Sequence, residues 1–361
     1  MPTNEFFSES YAQARTKFLA AAQDAGAVMH AYDHPSRRGP DGERLSIDVG
    51  ILGSPDASHT LLLISGTHGV EGFAGSGCQV GFFRDSLYEA LGKNACAIVV
   101  HALNPFGFAW IRRVNEDNVD LNRNFQNFTQ PLPRNEAYDG LHSMLIPSDW
   151  DGAGRRAADA QLQEFLRRNG IAALQAAVSA GQYSHPDGLF FGGVAETWSA
   201  ATFKQIIKAH IPKAATRLVV IDLHTGLGPF AYGEPILVGA SDRQHELTKS
   251  RFGPEIKSLG AGESTSSILS GTLANAFPDW TTTDRDITFL GLEFGTKAVA
   301  DVLTALRGDH WLHTAQNSQS PLRARIKRSL RDAFYVDAPH WQAAVYGKLA
   351  DFVVRAARVL E

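Results

Sequence analysis

The chain has 361 residues, 44% of them hydrophobic and 20% charged, so it can bury a substantial core. Its formal net charge of −4 and the lack of any Lys or Arg run argue against a nucleic-acid partner. No stretch reaches the roughly 20 apolar residues that span a bilayer, and the N-terminus lacks the apolar core of a secretion signal. Two cysteines are too few for a disulfide framework, so we expect a soluble, cytoplasmic protein with no membrane partner.

Apolar runs bounded by Gly and Asn alternate with helical patterns along the chain. This alternation predicts an α/β fold with a mostly parallel, mixed, twisted sheet and helices on both faces. The predicted strands are 60–64, 97–103, 218–223, 235–238 and 287–292, and the predicted helices are the N-terminal segment, 76–91, 156–180, 201–210, 297–306 and 340–360. No hydrophilic linker divides the chain, so we expect one domain over residues 1–361, with a helical insertion at about 126–216.

The first candidate site residues follow the strand at 60–64, where a Gly-rich turn holds His68 and Glu71. An imidazole and a carboxylate three positions apart can converge on one cation at the mouth of the sheet, where open α/β folds place their ligands. The spacing alone is weak evidence, because an ordinary turn with a solvated Glu contains the same residues.

Two more candidates belong to apolar strands. His224 follows the strand at 218–223 and has the position of a third metal ligand, although a lone strand-end His is usually a core residue. Glu293 lies in an apolar segment, and a buried carboxylate needs a cation, a catalytic role or an ion-pair partner such as Arg113 or Lys297. Two His and one Glu with an open fourth position is the pattern of catalytic zinc, whereas structural zinc is normally closed by four ligands rich in Cys.

A polar group follows the strand at 97–103. It contains Arg112 and Arg113, and then Asp120, Asn122 and Arg123. The planar guanidinium matches two oxygens, so such arginines suit the recognition of a carboxylate or an oxyanion. The alternative is a surface loop with paired charges.

Taken together and in this order, these motifs resemble those of the zinc carboxypeptidases, aspartoacylase and succinylglutamate desuccinylase. The motifs are His68-Gly69-Val70-Glu71, Asp120-Leu121-Asn122-Arg123, the strand-end His224 and the strand residue Glu293. The resemblance covers about 60–125 and 218–296. GTHGVEG is closer to the aspartoacylase and desuccinylase branch and VDLNRNF to the carboxypeptidases, a mixture that resembles a bacterial branch of unassigned function.

The resemblance implies that His68, Glu71 and His224 bind one zinc ion per chain. Asp120 is then the hydrogen-bond partner of His68, and Glu293 is the catalytic acid and base. The same resemblance implies roles in holding and polarising the substrate. These roles fall to Asn122 and Arg123 for the substrate carboxylate, and to Arg113, or alternatively Arg112, for the scissile carbonyl.

These inferences predict a zinc metallohydrolase that cleaves an amide bond next to a carboxylate. Its partner would be a small molecule or peptide with a free carboxylate, and the activity would be carboxypeptidase-like or N-acyl amino acid deacylase-like. We expect the insertion to shape the pocket rim through Tyr183, His185 and Phe191. Two alternatives stay open: a metal-free carboxylate-binding module, and a serine hydrolase built on Ser76, although the nucleophile elbow requires Gly where this chain has Ala74.

Overall fold

The computed structural model describes residues 2–239, 242–258, 264, 269–278, 285–313 and 318–361. Within them the strands are β1 (Val28–Arg38), β2 (Arg44–Gly53), β3 (His59–Ile64), β4 (Ala95–His101), β5 (Arg217–Phe230), β6 (Gly233–Leu237), β7 (Lys257–Ser258) and β8 (Asp286–Gly295). They form one sheet in the order β1-β2-β4-β3-β5-β8-β6-β7. β4, β3, β5 and β8 run parallel to one another. β1 pairs antiparallel with β2, β2 with β4 and β6 with β8, whereas β6 and β7 pair parallel. The predicted α/β fold with a mixed sheet is confirmed.

Helices surround this sheet. They are α1 (Tyr11–Asp24), α2 (Gly72–Arg84), α3 (Pro105–Ala109), α4 (Glu136–Asp139), α5 (His142–Leu145), α6 (Ala153–Ser179), α7 (Trp198–His210), α8 (Asp242–Phe252), α9 (Val299–His313), α10 (Arg323–Phe334) and α11 (Pro339–Leu360). In the part of the chain that the structure describes, none of the helices is both long enough and apolar enough to cross a bilayer.

The central strands bury both faces, which is why their sequences are almost wholly apolar. In β3, Leu61 and Leu63 face a core shared with α1, α2 and α11, whereas Leu62 and Ile64 face a second core that contains α7. This alternation follows from the two-residue period of a strand. Helices therefore cover both faces, as the sequence predicts.

The hairpin of β1 and β2 was not among the predicted strands. Most of β1 is exposed or half-buried, and it contains Pro35 and several charged residues, so it shows no apolar run. A strand at the edge of a sheet needs less apolar surface than a central one, and charge and Pro there discourage pairing with other chains.

The insertion between the short helical turn Leu121–Arg123 and β5 holds α4, α5, α6 and α7. The predicted helix at 156–180 corresponds to α6, but Gly170 breaks it with φ 81° and ψ 167°. Residues with a Cβ rarely adopt this conformation. The break separates residues 153–169 from residues 171–179, and the latter are called the cover segment below.

Candidate metal centre and active site

Three parallel strands place the predicted site residues at one edge of the sheet. β3 leads into the turn that holds His68, β5 carries His224, and β8 carries Glu293. His224 and Glu293 are direct partners in the register of β5 and β8. The carboxyl ends of parallel strands share an edge, and this is where open α/β folds form their sites.

The turn after β3 is tightly packed against the start of α3. A Cβ on Gly69 would lie 2.1 Å from the backbone carbon of Gly107, so glycine is required there. The backbone N–H of Gly69 donates to the carbonyl of Arg113 at 3.0 Å, and that of Val70 to the carbonyl of Arg112 at 2.8 Å. These contacts fix the turn that presents His68 and Glu71.

The three predicted metal ligands converge. Nδ1 of His68 lies 2.9 Å from Oε1 of Glu71 and 3.2 Å from Nδ1 of His224. Nδ1 of His224 lies 3.0 Å from the other carboxylate oxygen of Glu71. All three side chains are buried, and the group forms a candidate site for a metal ion.

The other ring nitrogen of each histidine faces a carboxylate. Nε2 of His68 lies 3.1 Å from Oδ1 of Asp120, and Nε2 of His224 lies 2.8 Å from Oδ2 of Asp222. Thr67 donates its hydroxyl to the second oxygen of Asp222 at 2.8 Å. Carboxylates in this position orient metal-binding imidazoles in many proteins. The arrangement leaves both Nδ1 atoms pointing at the same space.

The charges of this group depend on each other. Burial by itself would raise the pKa of Glu71, but the imidazoles of His68 and His224 outweigh it and hold this pKa well below its ordinary value. Burial likewise opposes the charged form of His224, but Asp222 and Glu71 raise its pKa well above the usual value. The surrounding positive charge therefore keeps Glu71 in its ionised, carboxylate form.

Glu293 has a different environment. It is half-buried, and its Oε1 accepts a hydrogen bond from the backbone N–H of Leu227 at 3.0 Å. Burial, followed by repulsion from Glu71, raises the pKa of Glu293 to about 8. The two glutamates thus differ in proton affinity although they lie in one site, which suits one of them to hold charge and the other to exchange a proton.

The adjacent arginines diverge. Arg113 lines the cavity and donates to Oε1 of Glu71 at 3.1 Å and to Oδ2 of Asp120 at 3.0 Å. Arg112 is absent from the cavity lining among the described residues, and its Nε donates to Asp309 at 3.0 Å. Lys327 reaches the other oxygen of Asp309 at 2.5 Å, so Arg112 belongs to a buried ion pair. Its predicted contact with substrate is therefore not supported, because its guanidinium is held away from the cavity.

Asn122 and Arg123 both line the cavity. Oδ1 of Asn122 accepts from the backbone N–H of Leu273 at 2.9 Å. Arg123 donates through Nε and Nη2 to the carbonyl of Ser179 and through Nη1 to the carbonyl of Asn122. A guanidinium has five N–H donors, so these bonds leave part of the fork for a ligand. The arginine therefore also ties the end of α6 to the site.

Phe190 was not predicted from the sequence. Its ring lies 5.0 Å from the guanidinium carbon of Arg113 and 5.6 Å from that of Arg123, and it lines the cavity. Its φ of 52° is unusual for a residue with a side chain. Such backbone conformations persist where the surrounding structure holds the residue in place. An aromatic face near two cations is favourable, but no local pattern could have marked this contact.

The residues predicted at the rim have other partners. Tyr183 donates to the carbonyl of Arg123 at 2.7 Å, and His185 lies 2.8 Å from Asp139. The carbonyl of Phe191 accepts from the backbone N–H of Asp120 at 2.8 Å. None of the three lines the cavity in the described part of the chain. The insertion contributes to the wall through Phe190 and the cover segment instead.

Ser76, the nucleophile of the serine hydrolase alternative, is buried inside the fold. Its Oγ lies 2.9 Å from Nε2 of His101, which is also buried, and burial lowers the pKa of His101 to about 3. Neither residue lines the cavity. No observation here supports the serine hydrolase reading.

Residues 7–348 match the sequence model of one family, described as "Protein of unknown function (DUF2817)". The chain belongs to this family. The comparison with curated proteins finds no significant match to the sequence.

Solved structures similar to this DUF2817 chain include murein-tripeptide amidase MpaA from Escherichia coli O157, with 16% identity, a TM-score of 0.36, and 81% of this chain and 97% of that chain covered. Carboxypeptidase A from Helicoverpa armigera has 11% identity and a TM-score of 0.43, and the match covers 90% of this chain and 74% of that chain. Succinylglutamate desuccinylase from Chromobacterium violaceum has 16% identity and a TM-score of 0.38, with 84% and 74% covered. Their names are of the kinds that the sequence motifs resemble.

Proposed function

We propose that this chain is a zinc-dependent hydrolase that cleaves an amide bond next to a carboxylate. The observation that carries the proposal is the convergence of His68, Glu71 and His224. The two Nδ1 atoms lie 3.2 Å apart, and each lies 2.9 or 3.0 Å from one carboxylate oxygen of Glu71. Ligands about 2.0 Å from a tetrahedral cation lie about 3.3 Å apart, so a small shift would seat the ion. Two imidazoles and one carboxylate form a donor set that zinc accepts.

The remaining groups fit hydrolysis. When bound, zinc would polarise the substrate carbonyl and lower the pKa of a bound water toward neutrality. Glu293 takes the proton from the attacking water and then donates it to the leaving nitrogen. Its partial exposure to the cavity and its raised pKa both suit a group that gains and loses a proton near neutral pH.

The arginines that line the cavity support recognition of a carboxylate. Arg113 and Arg123 present guanidinium groups there, and Asn122 adds an amide. Arg113 lies nearest to the donor atoms, so it stabilises the negative charge that develops on the carbonyl oxygen. Arg123 and Asn122 orient the substrate carboxylate.

The proposal predicts that His224→Ala loses zinc and activity together. Metal analysis of protein purified without added zinc should give about one zinc per wild-type chain and much less in the variant, because two donors remain. His30→Ala, which changes an exposed histidine, is the matched control and should keep its zinc.

Activity is measured in parallel on N-acyl amino acids and short peptides. Full zinc occupancy in a folded His224→Ala protein would remove His224 from the site. Wild-type protein that binds a carboxylate ligand with full affinity but contains no zinc would favour the metal-free binding module.

A further inference from the structure

A second group of possible metal ligands lies in the insertion. One ring nitrogen of His142, one ring nitrogen of His185 and one carboxylate oxygen of Asp187 lie within 4.8 Å of one another. None of these three residues lines the cavity of the candidate metal centre, as far as the structure describes it. The group is therefore separate from the ligands proposed for that centre.

The two imidazole rings lie face to face, and each has a carboxylate beside it. The ring centroids of His142 and His185 are 4.0 Å apart, with an angle of 19° between the planes. Nε2 of His142 lies 3.4 Å from Oδ1 of Asp187, and Nε2 of His185 lies 2.8 Å from Oδ1 of Asp139. Among the described ion pairs, each aspartate pairs only with its histidine. Two carboxylates close together attract a cation.

The loop that carries His185 and Asp187 is fixed by the buried side chain of Gln182. Oε1 of Gln182 accepts from the backbone N–H of His185 at 2.7 Å, and Nε2 donates to the carbonyl of His185 at 2.8 Å. From outside the loop, Asn118 donates to the carbonyl of Gly188 at 3.1 Å. These bonds hold the loop in place without a bound ion, so binding has little ordering to achieve.

An ion can reach this group from solvent. The side chains of His142 and His185 are 20% and 26% exposed, and that of Asp187 is 60% exposed. Nδ1 of His142 is buried, so Nε2, which faces Asp187, is the nitrogen that an ion can reach. The group thus combines an open approach with donors that are already close together.

We propose that His142, His185 and Asp187 bind a zinc ion at a site separate from the candidate metal centre. Zinc accepts imidazole and carboxylate donors together, whereas Mg²⁺ and Ca²⁺ prefer oxygen donors. The ion joins the start of α5 to the loop at 182–188, two segments that α6 separates in the chain. It therefore stabilises the insertion, because an ion that binds the folded state alone shifts the folding equilibrium toward that state.

The test is a calorimetric zinc titration of His224→Ala protein, which lacks one donor of the candidate metal centre. The protein carries no affinity tag, because a histidine tag binds zinc itself. The site is partly exposed and offers three ligands, so we expect it to be empty after purification without added zinc. On titration one zinc ion per chain should bind, and the melting temperature should rise with zinc concentration. Magnesium at the same concentrations should do neither.

His185→Asn and Asp187→Asn in this background should each weaken zinc binding by at least about tenfold, the scale for losing even a group that orients a metal ligand. His30→Asn and Asp151→Asn change an exposed histidine and an exposed aspartate elsewhere, and both should bind zinc like the background protein. Melting curves without zinc verify that each variant is folded. Asp187→Asn decides if His185→Asn does not fold, because the aspartate side chain is largely exposed.

No zinc binding by folded His224→Ala protein would overturn the proposal. Binding that Asp187→Asn leaves unchanged would overturn it as well, since the ion would then lie elsewhere. The outcome is independent of the proposed function. Wild-type protein that was stripped with a chelator should bind two zinc ions, and Asp187→Asn in the wild-type chain should bind one. A single ion in the wild type that Asp187→Asn removes would support this site and reject the candidate metal centre.

Discussion

Glu293→Gln separates the chemical step from folding and metal binding. The amide keeps the shape of the side chain and retains an oxygen that can accept the hydrogen bond from Leu227. In the proposed reaction it cannot take a proton from the attacking water. We expect kcat of the zinc-loaded variant to fall by at least about a hundredfold, which corresponds to about 2.7 kcal/mol of activation free energy.

The structure also predicts the effect of this change on stability. The pKa of Glu293 is raised from 4.5 to about 8 in the folded protein, so the folded state holds a proton that the unfolded state releases. Its stabilising contribution is present below pH 4.5 and is lost as the pH rises through about 8. Metal-free Glu293→Gln should therefore melt at or above the wild-type temperature, and its advantage should grow over this pH interval.

Single-turnover kinetics, zinc analysis and melting curves test these expectations together. Glu234→Gln is the matched control, because Glu234 faces Glu293 in the register of β6 and β8 but does not line the cavity. Near-native turnover in folded, zinc-loaded Glu293→Gln would refute the acid–base assignment. Unfolding of that variant would instead indicate that Glu293 is a buried ion-pair partner.

Two further substitutions test the supporting groups. Asp120→Asn should weaken zinc affinity by about 10- to 100-fold, because the partner of His68 loses its charge. Asp117→Asn changes an exposed residue of the same loop and should leave zinc affinity unchanged. Competition with a chelator measures this, and unchanged affinity would contradict the proposed orienting role. Asp309→Asn leaves two buried cations unpaired and should lower the free energy of unfolding by about 3–5 kcal/mol, whereas Asp301→Asn on the exposed side of α9 should change it little. Urea denaturation measures this difference, and equal midpoints for Asp309→Asn and the wild type would show that this ion pair does not stabilise the fold.

The sequence predicts the central fold because its strands are buried on both faces. β3, β5 and β8 appear as apolar runs, and their ends carry His68, His224 and Glu293. The parallel arrangement of these strands then brings the three residues together. Local sequence was sufficient to predict these residues because each polar site residue stands at the end of a buried, apolar strand.

Other features depend on contacts between distant segments. The neighbouring residues do not firmly separate Arg112, which pairs with Asp309, from Arg113, which reaches Glu71. Gly170 lies inside a helical pattern, and a single glycine is often tolerated there. Phe190 owes its place to two guanidinium groups from another part of the chain.

His224 and Glu293 are partners in the ladder between β5 and β8. The backbone pairing of these strands therefore sets the distance between the two residues. A slip of one residue between these strands would turn one of the two side chains to the opposite face of the sheet. A one-residue deletion within either strand should therefore abolish the site outright. Exchanges in the cover segment or α9, which also line the cavity, leave this spacing untouched. The range of accepted molecules can therefore diverge within the family while His224 and Glu293 stay in register.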